Sequence, residues 1–255
     1  MKSQIKLGIP TGFTELDSIT EGWQPGNLII IAARPSMGKT AFATSMARNM
    51  VIEHENKGVA FFSLEMSEQQ LVRRLERIEP DVKLDELLYI DTTPALSISE
   101  FEDKCTKLAL QNRLSVAIVD YLQLMTLSGD ATKRSREQEV SSIIRSLKTV
   151  ARKLNITVIV LSQLNRGDGT HLPNKRPLLA TLPVSDSIEQ DADIVAFIHR
   201  PEYYGFHGDE EGNSLDGMAD IIIAKNRNGA AADIRLKFIK DCPKFVECNQ
   251  NAAVC

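Results

Sequence analysis

The sequence has little of what marks secreted, zinc-binding or membrane proteins. Its four cysteines, Cys105, Cys242, Cys248 and Cys255, form no CxxC pair and have no histidine at the spacing of zinc ligands. This argues against a disulfide framework or a metal role and favours reduced thiols in the cytosol. No apolar run is long enough to span a bilayer, and the N-terminus lacks the apolar segment of a signal peptide. We therefore expect a cytoplasmic protein with no membrane partner.

An excess of positive charge is also missing, because the 255 residues carry a formal net charge of −4. Any nucleic-acid site therefore has to be a local basic patch and not the whole surface. The hydrophobic and charged fractions, 43% and 25%, are those of an ordinary globular chain. The length suits one large α/β domain, and we interpret residues 1–255 as a single domain.

Six short runs, rich in β-forming residues and nearly continuous in apolar ones, predict the strands of a central sheet. They lie at residues 28–33, 58–63, 115–120, 156–162, 192–199 and 219–225. Since such runs suit strands buried on both faces, we predict a mostly parallel sheet flanked by helices. Asn228 and Gly229 lie between the last run and an apolar segment at 233–238, which predicts a C-terminal β-hairpin.

Helical periodicity occupies the stretches between these runs. The clearest case is 136–154, where the apolar residues fall on one stripe of a helix. Ser67 with Gln70, and Ser99 with Glu102, have the spacing of capping boxes and predict two further helix starts.

The strongest chemical motif is ARPSMGKT, which follows a predicted buried strand and opens a predicted helix at 39–54. In that context it predicts a P-loop, whose backbone N–H groups face phosphate oxygens. Lys39 would neutralise charge on the β- and γ-phosphates, and Thr40 would place a hydroxyl on Mg²⁺. Ala33 stands where the usual pattern has its first glycine. The predicted nucleotide-binding residues are Ala33, Arg34, Pro35, Ser36, Met37, Gly38, Lys39 and Thr40.

A second motif is the apolar run 116–120, which ends in Asp120. An aspartate at the carboxyl end of a buried strand lies at the edge where open α/β sheets bind ligands. We predict that Asp120 holds Mg²⁺ through water, so Thr40 and Asp120 form the metal site and Mg-ATP is the cofactor.

Three further sites allow more than one interpretation from the residues alone. Glu65, just past the second predicted strand, suits a base that polarises the attacking water, but also a helix-start acid beside Ser67. Gln163 suits a sensor of the γ-phosphate or simply a polar strand end. Lys225 and Arg227 suit an arginine finger, and equally a solvated hairpin tip.

The order of these segments resembles that of bacterial replicative helicases of the DnaB family. The likeness is to their C-terminal RecA-like ATPase domain and covers nearly the whole chain. SLEMS, DYLQL, SQLNR and SIEQDAD together separate the chain from RecA recombinases and KaiC-like ATPases, which share the fold and the Walker motifs. The segments that carry the resemblance are GIPTGFTELD (8–17), ARPSMGKT, FFSLEMS, IVDYLQLM, REQEVSSIIRSLKTVARKLN, LSQLNR, SIEQDADIVAFIHRPEYY and IIIAKNRNG.

The resemblance implies a RecA-like P-loop NTPase that assembles with itself into a hexameric ring. ATP would lie between subunits, and its hydrolysis would drive 5′-to-3′ movement on single-stranded DNA and unwinding of duplex DNA in chromosome replication. It also implies a primase and a helicase loader as partners in a bacterial cytoplasm. By motif match, the roles would fall to Lys39 and Thr40 (phosphate and Mg²⁺), Asp120 (Walker B acid), Glu65 (catalytic base), Gln163 (sensor), and Lys225 with Arg227 (donated in trans).

The chain departs from the family pattern in three ways. The stretch 75–88 is shorter than the family's. The family's DNA-contacting loop reads like RESG, but Pro183, Val184, Ser185 and Asp186 stand here, and proline also removes a backbone donor. The N-terminal domain and the linker helix that brace the ring are absent, so we expect weak association or an open helix in place of a closed ring.

DNA binding is predicted from two basic loops. Both loops leave the edge of the sheet that faces the nucleotide, and basic loops hold backbone phosphates without reading sequence. Solvated loops with no ligand remain an alternative interpretation, since no aromatic residue interleaves with the charges. The candidate residues are Lys133, Arg134 and Arg136 in one loop and Arg166, Lys175 and Arg176 in the other.

Three functions remain open from the sequence. A helicase motor predicts ATP hydrolysis that single-stranded DNA stimulates. A RecA-like recombinase or KaiC-like ATPase predicts strand exchange or turnover without unwinding. A nucleotide-binding docking module predicts tight binding without turnover.

Overall fold

The computed structural model describes residues 8–53, 58–78, 87–111, 114–127, 135–164 and 175–248. Within these ranges helices alternate with strands up to the sixth strand, and three strands follow it. The helices are α1 Thr14–Thr20, α2 Lys39–Glu53, α3 Glu68–Ile78, α4 Ile98–Leu110, α5 Arg136–Leu154 and α6 Ser185–Asp191. The strands are β1 Leu28–Ala33, β2 Val59–Ser63, β3 Leu88–Asp91, β4 Val116–Asp120, β5 Thr157–Gln163, β6 Ile194–His199, β7 Met218–Asn226, β8 Ala232–Ile239 and β9 Lys244–Glu247.

These strands form one sheet in the order β3-β2-β4-β5-β1-β6-β7-β8-β9. The pairs from β3 to β6 are parallel, and the pairs from β6 to β9 are antiparallel. The predicted α/β fold, with its mostly parallel sheet and its C-terminal hairpin of β7 and β8, is therefore confirmed. Because β1 lies at the centre, every residue of this strand is buried.

The sheet is covered on both faces, as the apolar strands required. Ile29 and Ile31 of β1 pack in the cluster that contains α2 residues such as Phe42. Leu28 and Ile30 point to the other cluster, which contains the buried stripe of α5. Alternate residues of one strand thus contribute to two cores, and each fully buried aliphatic side chain contributes about 1.5–3 kcal/mol. This packing fixes β1 and so the loop that follows it.

The helix predictions are partly right. Helix α5 begins and ends as predicted, with a capping box at Ser135. The predicted box of Ser67 and Gln70 is confirmed, since the Gln70 N–H donates to the Ser67 hydroxyl and the Gln70 side chain accepts from the Ser67 N–H. The predicted box of Ser99 and Glu102 is wrong. The box lies two residues earlier, because Ser97 caps α4 and Glu100 closes the reciprocal bond.

Strands β3 and β9 were not predicted. Both have only four residues and lie at the two edges of the sheet, and so short a run shows no distinctive strand period. No helix in the described ranges has the length and apolarity that crossing a membrane would require.

Candidate nucleotide-binding site

The P-loop is the turn between the end of β1 and the start of α2. It turns sharply enough that Ser36 and Gly38 have positive φ, +66° and +97°. A Cβ atom on Gly38 would lie 3.1 Å from Phe245 and 3.2 Å from Phe238, closer than ordinary contacts. Gly38 is therefore needed for both the backbone conformation and the packing of the loop on β8 and β9.

Two polar residues of the P-loop, Lys39 and Thr40, point to the carboxyl edge of the sheet. The Lys39 ammonium lies 3.4 Å from the Ala33 carbonyl, and the Thr40 hydroxyl donates to Asp120 Oδ2 at 2.7 Å. Burial lowers the pKa of Lys39, although the negative charges of Asp120 and Glu65 oppose the change. Burial likewise raises the pKa of Asp120, and the Thr40 hydroxyl and Lys39 oppose it. Burial thus disfavours the charged form of both groups, and each charge offsets part of that cost for the other.

The residues present fit a divalent cation. Asp120 Oδ1 is buried and accepts no hydrogen bond from the described residues, although its partner oxygen is bonded to Thr40. A buried carboxylate oxygen without a donor is costly unless a cation or its water contacts it. Carboxylate and hydroxyl oxygens are also the ligands that Mg²⁺ prefers.

Glu65 lies at the same edge as Asp120. Strands β2 and β4 are paired so that Ser63 lies opposite Asp120, and the Leu64 N–H donates to the Asp120 carbonyl at 2.7 Å. The Ser63 hydroxyl donates to the Met66 carbonyl at 2.9 Å, which closes the turn that carries Glu65. The Glu65 side chain is exposed. It is thus close enough to influence Lys39 and Asp120 and open enough to meet a ligand.

Gln163 ends β5 directly beside the P-loop, in register with Ala33. Gln123, to which the sequence motifs assign no role, holds it there. The Gln123 amide donates to the Ser162 hydroxyl at 3.1 Å and to the Gln163 carbonyl at 3.2 Å. Gln123 also accepts from the Gln163 N–H at 3.3 Å. Its place three residues after Asp120 in IVDYLQLM was the only available signal.

Two more residues beside the P-loop, the aromatic Tyr204 and the basic Arg200, have no role predicted from the sequence. Tyr204 packs under Arg34, whose guanidinium lies 5.6 Å from the ring centre. Arg200 is buried, stacks 3.9 Å from the Phe238 ring centre and approaches the Ser36 carbonyl at 3.5 Å. Both belong to the segment HRPEYY, in which no spacing rule marks a ligand contact.

Lys225 and Arg227 lie at the other end of the strands from the P-loop, where the parallel strands begin. Lys225 is in register with Val195 of β6, and the Arg227 N–H donates to the Asp193 carbonyl at 2.8 Å. Because β1 and β6 are parallel, Lys225 is level with Ile30 and Arg227 with Leu28, three and five residues before Ala33. At a rise of about 3.3 Å per residue they lie about 10 Å and about 17 Å from the level of Ala33, and also two strands to the side. Neither side chain can reach the nucleotide site of its own chain.

Three of the predicted DNA contacts lie in the described ranges, in two separate places. Arg136 pairs with Glu139 and donates to the Gln123 carbonyl at 2.9 Å, near the end of β4. Arg176 pairs with Asp220 and Asp233 on β7 and β8. Lys175 lies over the ring of Tyr204, at 5.4 Å from its centre. The end of β4 and the start of β7 are four strand spacings apart, about 19 Å at about 4.8 Å per spacing.

The other three candidates, Lys133, Arg134 and Arg166, lie outside the described residues, and so do residues 79–86 of the stretch 75–88. The DNA contacts therefore stay predictions. In the loop 183–186, Val184 has φ +51° and precedes α6, and its carbonyl accepts from the Ser187 N–H at 3.0 Å. A left-handed conformation is unusual for a β-branched residue.

Comparison with known families agrees with this geometry. The model of the DnaB-like helicase C terminal domain matches residues 8–88 and 81–247. The chain is 45% identical to the replicative DNA helicase DnaB of Geobacillus stearothermophilus, over 94% of this chain and 56% of that protein. It is 44% identical to the replicative DNA helicase DnaC of Bacillus subtilis, again over 94% and 56%. The chain thus spans little more than half of these relatives, and its interpretation as one domain over residues 1–255 stays a prediction.

Solved structures give the same result. One solved ATPase domain superposes with a TM-score of 0.83 at 33% identity, over 95% of this chain and 92% of that one. A DnaB-like replicative helicase, solved to describe its interactions with primase, superposes equally well over 95% of this chain and 64% of that one. The RecA-like ATPase fold implied by the sequence is therefore confirmed.

Proposed function

Since the chain belongs to the family of DnaB-like helicase C-terminal domains, we propose that it is the ATP-driven motor of a replicative DNA helicase. The observation that carries this proposal is the cluster of Lys39, Thr40 and Asp120 at the carboxyl edge of the sheet. One oxygen of Asp120 there is bonded to Thr40, and the other is buried without a donor among the described residues. A site of this kind suits the triphosphate of Mg-ATP.

The proposed reaction is hydrolysis of the γ-phosphate. P-loop amides and the start of α2 hold the phosphate oxygens, and Lys39 neutralises their charge. Mg²⁺, held by Thr40 and Asp120, supplies further charge neutralisation at the phosphates. Glu65 orients the attacking water and takes its proton, and Gln163 senses the γ-phosphate from the end of β5.

The site is completed by a second copy of the chain. Lys225 and Arg227 lie about 10 Å and about 17 Å before Ala33 along the strand direction and two strands away from β1, so the pair acts on the nucleotide of a neighbour. The copies associate as a hexameric ring or an open helical filament, in which each interface holds one ATP. An isolated subunit is accordingly a poor ATPase.

Hydrolysis at these interfaces drives 5′-to-3′ movement on single-stranded DNA and unwinding of the duplex. The backbone phosphates are held by the two basic loops, and the binding is non-specific in sequence. A solved relative was described with primase, and we extend primase and a helicase loader to this chain as partners in the bacterial cytoplasm.

ATP hydrolysis measured with and without single-stranded DNA tests the motor function, with the Lys39→Ala variant as the control for contaminating activity. We expect DNA to raise the rate at low salt, the stimulation to fall as salt increases, and the variant to lose turnover. A rate that is indifferent to DNA at low salt contradicts a motor. Tight ATP binding without any turnover identifies a docking module instead.

A further inference from the structure

The two cations proposed to act in trans are held by the carboxyl end of α6. The Lys225 ammonium donates to the carbonyls of Glu189 and Ala192. The Arg227 guanidinium donates to the Gln190 carbonyl at 2.8 Å and to Asp193 Oδ1 at 3.2 Å. A solvated hairpin tip has no such contacts, so the two side chains have fixed places in the subunit.

Asp193 is itself anchored from two sides. Its Oδ2 accepts from the Leu28 N–H at 2.8 Å, at the start of β1, and pairs with the buried ammonium of Lys148 from α5. Its own N–H donates to the Leu28 carbonyl at 2.9 Å, and its carbonyl accepts from the Arg227 N–H at 2.8 Å. Asp193 is 4% exposed. The carboxylate therefore cannot rotate without losing bonds to the centre of the sheet.

The two carboxylate oxygens have separate partners. Oδ2 contacts the Leu28 N–H and the Lys148 ammonium in the core, whereas Oδ1 contacts Arg227. The Arg227 side chain is 43% exposed. Its two terminal nitrogens are each held by one bond, to Asp193 and to the Gln190 carbonyl, and the described residues leave further guanidinium N–H groups for another acceptor. A half-exposed arginine that is oriented by a buried charge is preorganised for an anion on another molecule.

We propose that Asp193 is the positioning residue of the trans arginine: through Oδ1 it orients the Arg227 guanidinium toward the nucleotide of the adjacent subunit. The α6 carbonyls hold Lys225 beside it. This inference rests on the proposed function, in which Arg227 acts across an interface. Asp193 itself touches no nucleotide, and its effect passes through Arg227.

Asp193→Asn replaces one carboxylate oxygen by an NH₂ group, so the two positions then differ in chemistry. The Leu28 N–H and Lys148 are both donors, so the amide oxygen has to take the place of Oδ2. The amide NH₂ then faces Arg227, and donor meets donor. The matched control is Lys148→Met, which removes a partner of the same carboxylate on the core side and leaves Oδ1 for Arg227.

The experiment is complementation between two inactive subunits. One carries Arg227→Ala and supplies an intact P-loop; the other carries Lys39→Ala and supplies an intact finger. Their mixture is expected to regain ATP turnover. Adding Lys148→Met to the finger donor is expected to leave this turnover nearly unchanged, whereas adding Asp193→Asn lowers it about tenfold, as loss of a charge-assisted hydrogen bond implies.

The outcomes separate the two ideas. No turnover in the first mixture overturns the shared site and the positioning role with it. If the Asp193→Asn donor restores turnover as well as the unmodified donor does, the positioning role alone is overturned. If Lys148→Met lowers turnover as much as Asp193→Asn does, the positioning role is also overturned, because the loss then indicates an effect on stability. Thermal unfolding confirms that each donor is folded. Should Asp193→Asn not fold, Asp193→Glu replaces it, since the charge is kept but the carboxylate is displaced by one methylene.

A second experiment uses one chain type at a time, so that every copy carries the same substitutions. Asp193→Asn is expected to lower kcat about tenfold with KM for ATP unchanged, because the P-loop is intact. In the Arg227→Ala background the same change is expected to have no further effect on kcat, since a positioning residue has nothing left to position. Additive losses in the double variant contradict the proposal.

Discussion

Gly38→Ala perturbs the P-loop at its tightest point, and the structure gives the size of the effect. Gly38 has φ +97°, which costs an L-residue roughly 1–2 kcal/mol or more. The new methyl group would also lie 3.1 Å from Phe245 and 3.2 Å from Phe238. Overpacking of this kind costs about 1–3 kcal/mol. We expect the free energy of unfolding to fall by roughly 2–5 kcal/mol, and ATP binding to weaken because the loop shifts away from the phosphates.

Gly205→Ala is the matched control. Gly205 also has a positive φ, +82°, but no atom of the described residues lies within 4 Å of an added Cβ. The control therefore carries the backbone cost of about 1–2 kcal/mol without the clash. Urea unfolding gives the two free energies, and titration with a fluorescent ATP analogue gives the two affinities. Equal destabilisation, or unchanged ATP affinity in Gly38→Ala, would refute the packing argument.

Four other substitutions test the site and the fold. Because burial raises the pKa of Asp120, Asp120→Asn is expected to stabilise the nucleotide-free chain by about 1 kcal/mol in urea unfolding while abolishing Mg-dependent turnover; a destabilised variant would contradict this. Burial raises the pKa of Glu202, but hydrogen bonds from the Gly217 N–H, Arg200 and Lys240 lower it to about 2. Its stabilisation is therefore present above the unfolded value of about 4.3 and lost as pH falls through about 2. Glu202→Gln should cost roughly 2 kcal/mol at pH 7 and progressively less below pH 4, as urea unfolding at several pH values can check. Ser97→Ala should destabilise by about 1 kcal/mol and Ser99→Ala by less, the reverse of what the sequence spacing predicts.

The central sheet could be predicted because its strands are buried on both faces. Strand β1 matches its predicted bounds, and the other five predicted strands differ by one or two residues at their ends. The edge strands β3 and β9 could not be predicted, since four residues are too few to show a distinctive period. The cap of α4 was misplaced because Ser97–Glu100 and Ser99–Glu102 have the same spacing, and only packing selects one.

The candidate site was predictable where a single local motif carries it. ARPSMGKT and the run that ends in Asp120 identify their residues without knowledge of the sheet. By contrast, the contacts of Gln123, Arg200 and Asp193 depend on strand pairing and on α6, which bring together residues far apart in the chain. No spacing in the sequence reports such contacts.

The central claim is that each ATP site is shared between two copies of the chain. The most direct test is the rate of ATP hydrolysis per subunit, measured against protein concentration for the native chain and for Arg227→Ala. The account predicts a rate that climbs with concentration in the native chain and stays low in the variant at every concentration. A rate per subunit that is independent of concentration and unchanged in Arg227→Ala would contradict it.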